Sequence, residues 1–589
     1  MCRIAGIIDR TSKQITTDTI SMRDVMHRGG PDHAGIYVDE GAQLCLGHRR
    51  LSIIDLCETG NQPMFDECKN LVLVFNGEIY NYLDLKEELT QAGFRFTTQS
   101  DSEVILKAYQ KWGTNCFAKF RGMFALALYD KKHSQIILAR DHAGIKPLYF
   151  YIDNERLYFA SEVKAFKELK KWEEDSGWKI YFLTFGYLPN HVTTLKNVKA
   201  LDKGSFYIVD VNTLQHQQYF FTQDYFSEEI CNEKEAKELI KITIEKAVKR
   251  HLIADAPLGL FLSGGIDSSL LTLVAKNYKE DLHTLSIVFD DEDYSEKKYQ
   301  HIVAKKVQSR HKEFLLNKKI FVDALPDIFK AMDQPSADGI NSYFISKFAK
   351  EAGLKAVLSG LGADELFGGY PSFKRISFLK NIKSLPNFIL NSAQLSAKDK
   401  YRKIAFLKNK NIIGDYLFNR GFFTPSDVAK QLDMDVKEVN SLLDDIAMPS
   451  FVNQLSEGNK VSFFETNLYM ESQLLKDTDF MSMWHSIEVR VPFLDYDLIN
   501  AVQKIHSSIK FGHPQSKHLL IESFDEVLPV EIWQRKKQGF VFPFDNWMKE
   551  NVEQFMPVNQ NAELAKKFKA GKLSWSRYWT YLVSQSFKA

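Results

Sequence analysis

FLSGGIDSS, residues 261–269, decides the fold of the second half of the chain. Phe261 and Leu262 end an apolar run, Ser263-Gly264-Gly265 turn the chain, and a helix-period segment starts near Asp267. Strand, glycine turn and helix open a βα unit. Glycines let the backbone approach an anion, and a helix start supplies unpaired N–H groups to hold it. The spacing is neither G-x-x-x-x-G-K-[ST] nor G-x-G-x-x-G, so the commoner phosphate and dinucleotide loops are excluded. What stands there is a cradle of Ser and Gly with a carboxylate at its rim. A carboxylate repels phosphate unless a cation lies between them, so Asp267 points to Mg²⁺.

Working outward, LSGLGADELFGGY (358–370) repeats the arrangement. An apolar strand again ends in Ser-Gly, and Asp364 and Glu365 follow at its carboxyl end, where open α/β sheets bind ligands. An amphipathic helix from Ala236, the apolar runs LHTLSIVF (282–289) and KAVLSG (355–360), and helices between them predict a parallel, doubly wound sheet. Residues 376–480 read as largely helical.

The first half is mixed α/β with many strands. LVLVFNGEIYN (71–81) reads as an apolar strand ending in an Asn76-Gly77 turn. SDSEVILKAYQKWG (100–113) predicts a helix capped by Ser100 or Asp101. MFALALYD, QIILARD, LYFYID and LYFASE, between residues 123 and 162, predict a β-meander. The polar, aromatic stretch 213–235 reads as a linker. The expected domains are 2–210 and 236–589, with 211–235 between them.

Composition narrows the function. With 589 residues, the chain is too long for one core. Lys+Arg is 76 against Asp+Glu 75, so no global field favours nucleic acid or an anionic membrane. No apolar run approaches the ~18 residues of a membrane span, and no signal peptide is visible. Six cysteines without a C-x-x-C pair fit neither a zinc site nor a disulfide framework. The expectation is a cytoplasmic protein with small-molecule substrates; a homodimer stays open.

S-G-G-I-D-S resembles the pyrophosphate loop of the ATP pyrophosphatase superfamily, whose members split ATP between its α and β phosphates and adenylate an acceptor. The resemblance implies that Leu262 and Ile287 line an adenosine pocket. It puts Ser263, Gly264, Gly265, Asp267, Ser268, Ser359 and Gly360 on the nucleotide, and Mg²⁺ on Asp267 and Asp364.

The first half resembles the class II glutamine amidotransferases through Cys2, HRGGPDHAG (27–35), HRRLSIID (48–55), FNGEIYN (75–81) and SDSEV (100–104). This implies an N-terminal, Ntn-hydrolase-like α/β/β/α sandwich. It assigns Cys2 as nucleophile, Arg50 to the glutamine carboxylate, and the backbone of Leu51, Ser52, Ile53 and Ile54 to the bound glutamine. Asn76 and Gly77 become the oxyanion hole, and Glu78 and Asp101 hold the substrate amino group. Elementary chemistry agrees about Cys2. Removing Met1 would leave a thiol and an α-amine of pKa ~8 on one residue, a nucleophile with its own base.

Both halves in this order resemble the glutamine-hydrolysing asparagine synthetase family. MSMWHSIEVRVPFLD (481–495), SKHLLIE (516–522, with Lys517 as the active-site lysine) and RKKQGFVFPFDNWM (535–548) match its blocks. The implied reaction amidates aspartate through an aspartyl-adenylate and channelled ammonia, using ATP and Mg²⁺. Leu361 stands where asparagine-forming members often carry Glu, which keeps other carboxylates open, uronic acids among them. A non-catalytic regulatory protein on the same scaffold is the alternative of another class.

Overall fold

The computed structural model describes residues 2–169, 172–222, 224–291, 294–383, 386, 399–408, 411–535, 543–550 and 562–587. Met1 and residues 536–542 of the 535–548 block lie outside these residues.

The first half contains β1 (Arg3–Asp9), β2 (His33–Asp39), β3 (Leu44–Arg50), β4 (Met64–Phe65), β5 (Leu71–Ile79) and β6 (Gly122–Asp130). It continues with β7 (Gln135–Arg140), β8 (Tyr149–Ile152), β9 (Arg156–Ala160), β10 (Lys199–Ala200), β11 (Ser205–Asp210) and β12 (His216–Phe220). They form two six-stranded sheets, β10-β8-β9-β1-β3-β2 and β12-β11-β7-β6-β5-β4, and neighbouring strands within each are antiparallel. Alternation along each strand splits its side chains between two cores. Ile4, Ile8, Val72, Val74, Ala125 and Ala127 meet between the sheets. Leu73, Phe75, Phe124 and Leu126 face helices Tyr82–Gln91 and Asp101–Trp112 on one outer side, while Ala5 and Ile7 face helix Ile15–Asp24 on the other. The result is an α/β/β/α sandwich. Burial on both faces explains why these strands read as unbroken apolar runs.

Three local expectations are corrected. Asn76-Gly77 is not a turn: β5 runs through both residues and pairs with β6. Glycine is needed at 77 because a Cβ there would sit 2.1 Å from the Met123 carbonyl oxygen. The meander is two hairpins, β6–β7 and β8–β9, lying in different sheets. Part of the supposed linker is β12, an edge strand on β11, whose one partnered side tolerates its polar residues. The helix at 100–113 takes Ser100 as its cap, which accepts the Ser102 N–H at 3.1 Å.

The second half carries β13 (Leu258–Phe261), β14 (His283–Val288), β15 (Arg310–Leu315), β16 (Ala356–Leu358) and β17 (Glu488–Arg490). They form one parallel sheet in the order β15-β14-β13-β16-β17. The chain winds outward from β13 through β14 to β15, then crosses back to β16. The switch point therefore falls between β13 and β16, and the crevice at their carboxyl ends is the expected ligand site. The described part of 376–480 is helical and includes a π-helix at Glu465–Leu475.

Candidate active sites

The loops after β13 and β16 meet at this crevice. Helix Ile266–Ala275 starts on Gly265 without a side-chain cap, so its first N–H groups point into the loop. Gly264 takes φ +83°, and Ser263 and Ser268 hydroxyls lie 3.0 Å apart, closing the turn. A Cβ on Gly360 would lie 2.9 Å from Asp267 Cβ, so the second loop is pressed against the first. Leu262 and Ile287 are buried at neighbouring strand ends. The Ser359 N–H donates to the Arg490 carbonyl at 2.8 Å, tying the second loop to β17.

Lys517 joins the two acidic groups. Its Nζ lies 2.6 Å from both Asp267 oxygens and 2.5 Å from Asp364 Oδ1. Lys517 precedes helix His518–Glu522 rather than lying in it, with φ +59°. Despite burial, the two carboxylates raise its pKa, so it stays an ammonium. A Cβ on Gly369 would fall 1.7 Å from Asp364 Oδ1 and 2.6 Å from Lys517 Cε, so only glycine leaves room for this cluster. Two carboxylates converging on one cation are a donor set that also suits a hard divalent ion shared with phosphate.

Sequence reading missed the wall behind Asp364. Burial and the Asp364 charge push Glu365 up to about 8, although Tyr370 O–H donates to it at 2.6 Å. Arg420 stacks over Tyr370 and Tyr469 at 4.3 and 3.9 Å and pairs with Glu465 at 2.8 Å. Glu365 and Tyr370 stand in the 358–370 stretch, but Arg420, Glu465 and Tyr469 belong to no motif, so only folding reveals the wall they form together.

In the first half, Cys2 is buried beside Leu51, Arg50 and Glu78. Burial pushes its thiol up to about 11, against the pull of the chain's amino terminus and of a Leu51 N–H directed at the sulfur. Asn76 Nδ2 donates to Ser161 Oγ at 3.4 Å, while its buried Oδ1 has no hydrogen-bond partner among the described residues. Arg50 is held by the carbonyls of Ile54, Asp55 and Cys57 and by Asn61 Oδ1, which occupy both terminal nitrogens. A substrate carboxylate would have to replace some of them. Within 51–54, the Ser52 N–H is bonded to Asp32, and the Ile53 carbonyl accepts from Asp255 and Ala256 of the second half. Asp101 accepts the Ile79 N–H at 2.9 Å, and burial, reinforced by the Glu488 charge, pushes it up to about 6. Glu78 is raised well above the usual carboxylate range by burial, with Glu488 and Asp101 adding to it and Arg490 opposing. The predicted residues thus cluster in two centres, one around the buried Cys2 thiol and one around the buried Lys517 ammonium.

Such a pairing defines a class: a two-centre ligase with a glutaminase-type sandwich and an ATP-cleaving sheet. The family profile described as a glutamine amidotransferase domain matches residues 1–220, and that described as asparagine synthase matches 239–570. Glutamine-hydrolyzing asparagine synthetase 1 of Bacillus subtilis (strain 168) is 32% identical, the match covering 94% of this chain and 89% of that protein. Asparagine synthetase B of Escherichia coli (strain K12) is 28% identical over 92% of this chain and 82% of its own. Amidase chry2 of Gibberella zeae is 25% identical over 92% and 87%. The chain belongs to the asparagine synthase family. It is a carbon–nitrogen ligase that takes nitrogen from glutamine and uses ATP as a substrate. No helix among the described residues is long and apolar enough to cross a membrane.

Proposed function

We propose that the chain makes L-asparagine from L-aspartate, with L-glutamine as nitrogen donor and ATP cleaved to AMP and pyrophosphate. The observation that carries this reading is the Lys517 ammonium held between Asp267 and Asp364 at the switch point of a parallel sheet.

In the first centre, Cys2 Sγ attacks the glutamine amide carbon. A thiol with pKa about 11 is thiolate in only about one part in 10⁴ at neutral pH, so it needs an adjacent base. The α-amine freed by loss of Met1 is that base. Asn76 Nδ2 and the Gly77 N–H take the oxyanion, with Arg50, the 51–54 backbone, Glu78 and Asp101 holding the glutamine. Ammonia leaves, and water releases glutamate from the thioester.

In the second centre, the side-chain carboxylate of aspartate attacks the α-phosphorus of ATP, and pyrophosphate leaves. Leu262 and Ile287 contact the adenosine; Ser263, Gly264, Gly265, Ser268, Ser359 and Gly360 hold the phosphates. Asp267 and Asp364 would hold Mg²⁺, which neutralises pyrophosphate charge. Lys517 stabilises negative charge as it develops. Ammonia, kept from water that would protonate it, attacks the acyl-adenylate and displaces AMP. We place these reactions in the cytoplasm.

The test gives the full chain MgATP, aspartate and glutamine labelled with heavy nitrogen at the amide, read by mass spectrometry. Labelled asparagine with equimolar AMP is expected. An amidated uronic acid, formed where aspartate gives nothing, would keep the mechanism and replace the acceptor.

A further inference from the structure

Outside both centres, one cluster of metal-ligating side chains among the described residues lies at the β15 edge of the parallel sheet. His311 and Glu313 alternate along β15, so they share a face, and His301 on helix Lys297–Val307 packs over them. One ligand atom from each lies within 4.8 Å of the others. His301 Nε2 is bonded to Glu313 Oε1, and the imidazoles of His301 and His311 meet edge to face at 5.8 Å.

Two details suit a metal better than a packed surface. His311 Nε2 is buried without a hydrogen-bond partner, its nearest carboxylate oxygen 3.9 Å away. Its Nδ1 lies 2.9 Å from Thr284 Oγ1, which in turn meets Ser309 Oγ at 2.7 Å. The hydroxyl on Nδ1 orients the ring, and when Nδ1–H donates to it Nε2 keeps its lone pair for a metal, as in metal-bound histidines with an outer partner. Lys297 holds the other Glu313 oxygen at 2.7 Å, so Oε1, now bonded to His301 Nε2, is the oxygen that a metal inserted between the two would take.

We propose that His301, His311 and Glu313 bind one divalent transition-metal ion of the zinc class. Two imidazoles and a carboxylate select such a borderline ion over Mg²⁺, which prefers an all-oxygen shell. Metal–ligand bonds of about 2.0–2.2 Å imply ligand atoms roughly 3.4 Å apart, so the cluster needs only small side-chain shifts. His301 is half exposed, which gives the ion an entry path and a fourth position for water. The ion would bolt helix Lys297–Val307 to β15. Near its start this helix backs the ATP loop: a Cβ on Gly264 would touch Tyr299 Cβ at 3.1 Å, and Gln300 donates to the Ile287 carbonyl at 3.4 Å. The metal is thus a structural clip behind the nucleotide site, independent of which acceptor the enzyme uses.

The test strips the full-length protein with a chelator and titrates it with Co²⁺ in excess Mg²⁺, which occupies oxygen-only sites. One equivalent of Co²⁺ giving the intense visible bands of a low-symmetry, imidazole-bound ion is expected, with displacement by Zn²⁺ and a higher melting temperature in Zn²⁺. His301→Ala, whose side chain is half exposed, and His311→Ala should each weaken Co²⁺ binding by about tenfold or more, and Glu313→Gln should weaken it too. A titration without these bands would overturn the site. So would bands that persist unchanged in the His301→Ala/His311→Ala double variant.

Discussion

Two single residues set the chemistry of the first centre, and each predicts a measurement. Cys2 is seldom ionised because burial raises the pKa of its thiol, so its reactivity depends on a base within reach. With Met1 retained, the neighbouring nitrogen is a peptide amide and cannot take a proton. Fully active enzyme should therefore have the mass of a chain beginning at Cys2; full glutaminase activity in protein still carrying Met1 would refute the α-amine as base. Asp101 sits in the same pocket with a pKa of about 6, raised above the ordinary carboxylate value by burial. In the proposed reaction its charge holds the ammonium of glutamine, and that charge is lost as pH falls through about 6. The kcat/KM for glutamine should decline below that pH. Asp101→Asn should be impaired at all pH values and lack that limb, so an identical limb in the variant would reassign the titrating group.

At the scale of elements, β17 makes contacts toward both centres. Its Arg490 carbonyl holds the Ser359 N–H of the ATP-side loop at 2.8 Å. Its guanidinium donates to the carbonyls of His251 and Ile253, pairs with Glu488 at 2.6 Å, and approaches Glu78 at 3.8 Å. All three charged residues are buried. Arg490→Met leaves two carboxylates without their cation and should cost about 3–5 kcal/mol, seen as a large drop in apparent melting temperature. Glu488→Gln in the same chain should recover part of the loss; an unchanged melting temperature in the single variant would mean that Arg490 carries no such load. These elements also mark what could be read from sequence. The loops at 261–269 and 358–370 were readable because strand, glycine and helix start follow one another locally, and so was the parallel sheet they imply. Asn76-Gly77 misled because the short-range turn preference of Asn-Gly was overridden by pairing with β6, where Asn76 faces Ala125 and Gly77 faces Phe124. Arg490 stood in a recognisable block, yet its role depends on Glu78, more than four hundred positions away, and no local pattern reveals that.

Across the whole molecule, the two halves meet through charged residues, most of them buried. Asp479 of the second half binds both Arg3, next to the nucleophile, at 2.8 Å and Lys146 at 2.6 Å. Asp333 accepts the backbone N–H groups of Val163 and Lys164, each at 2.8 Å. Asp255 accepts the Asp55 N–H at 2.8 Å beside the glutamine loop. Partners this far apart in sequence make the halves one packed body, while the reacting groups stay segregated. A variant in one centre should therefore disable one half-reaction and spare the other. Asp267→Asn or Asp364→Asn should abolish pyrophosphate release and leave glutamine hydrolysis largely intact, because neither side chain touches the Cys2 pocket. Normal pyrophosphate release in either variant would remove that residue from the phosphate site. Cys2→Ala tests the converse. It should lower glutamine-dependent synthesis by about a thousandfold or more, since no second nucleophile can form the thioester. Synthesis from added ammonium salt should continue near the normal rate, because ammonia enters from solution and Lys517, Asp267 and Asp364 are untouched. Loss of both activities in a chain with an unchanged melting temperature would show that the cysteine serves the distant centre as well. Retention of glutamine turnover would show that it serves neither.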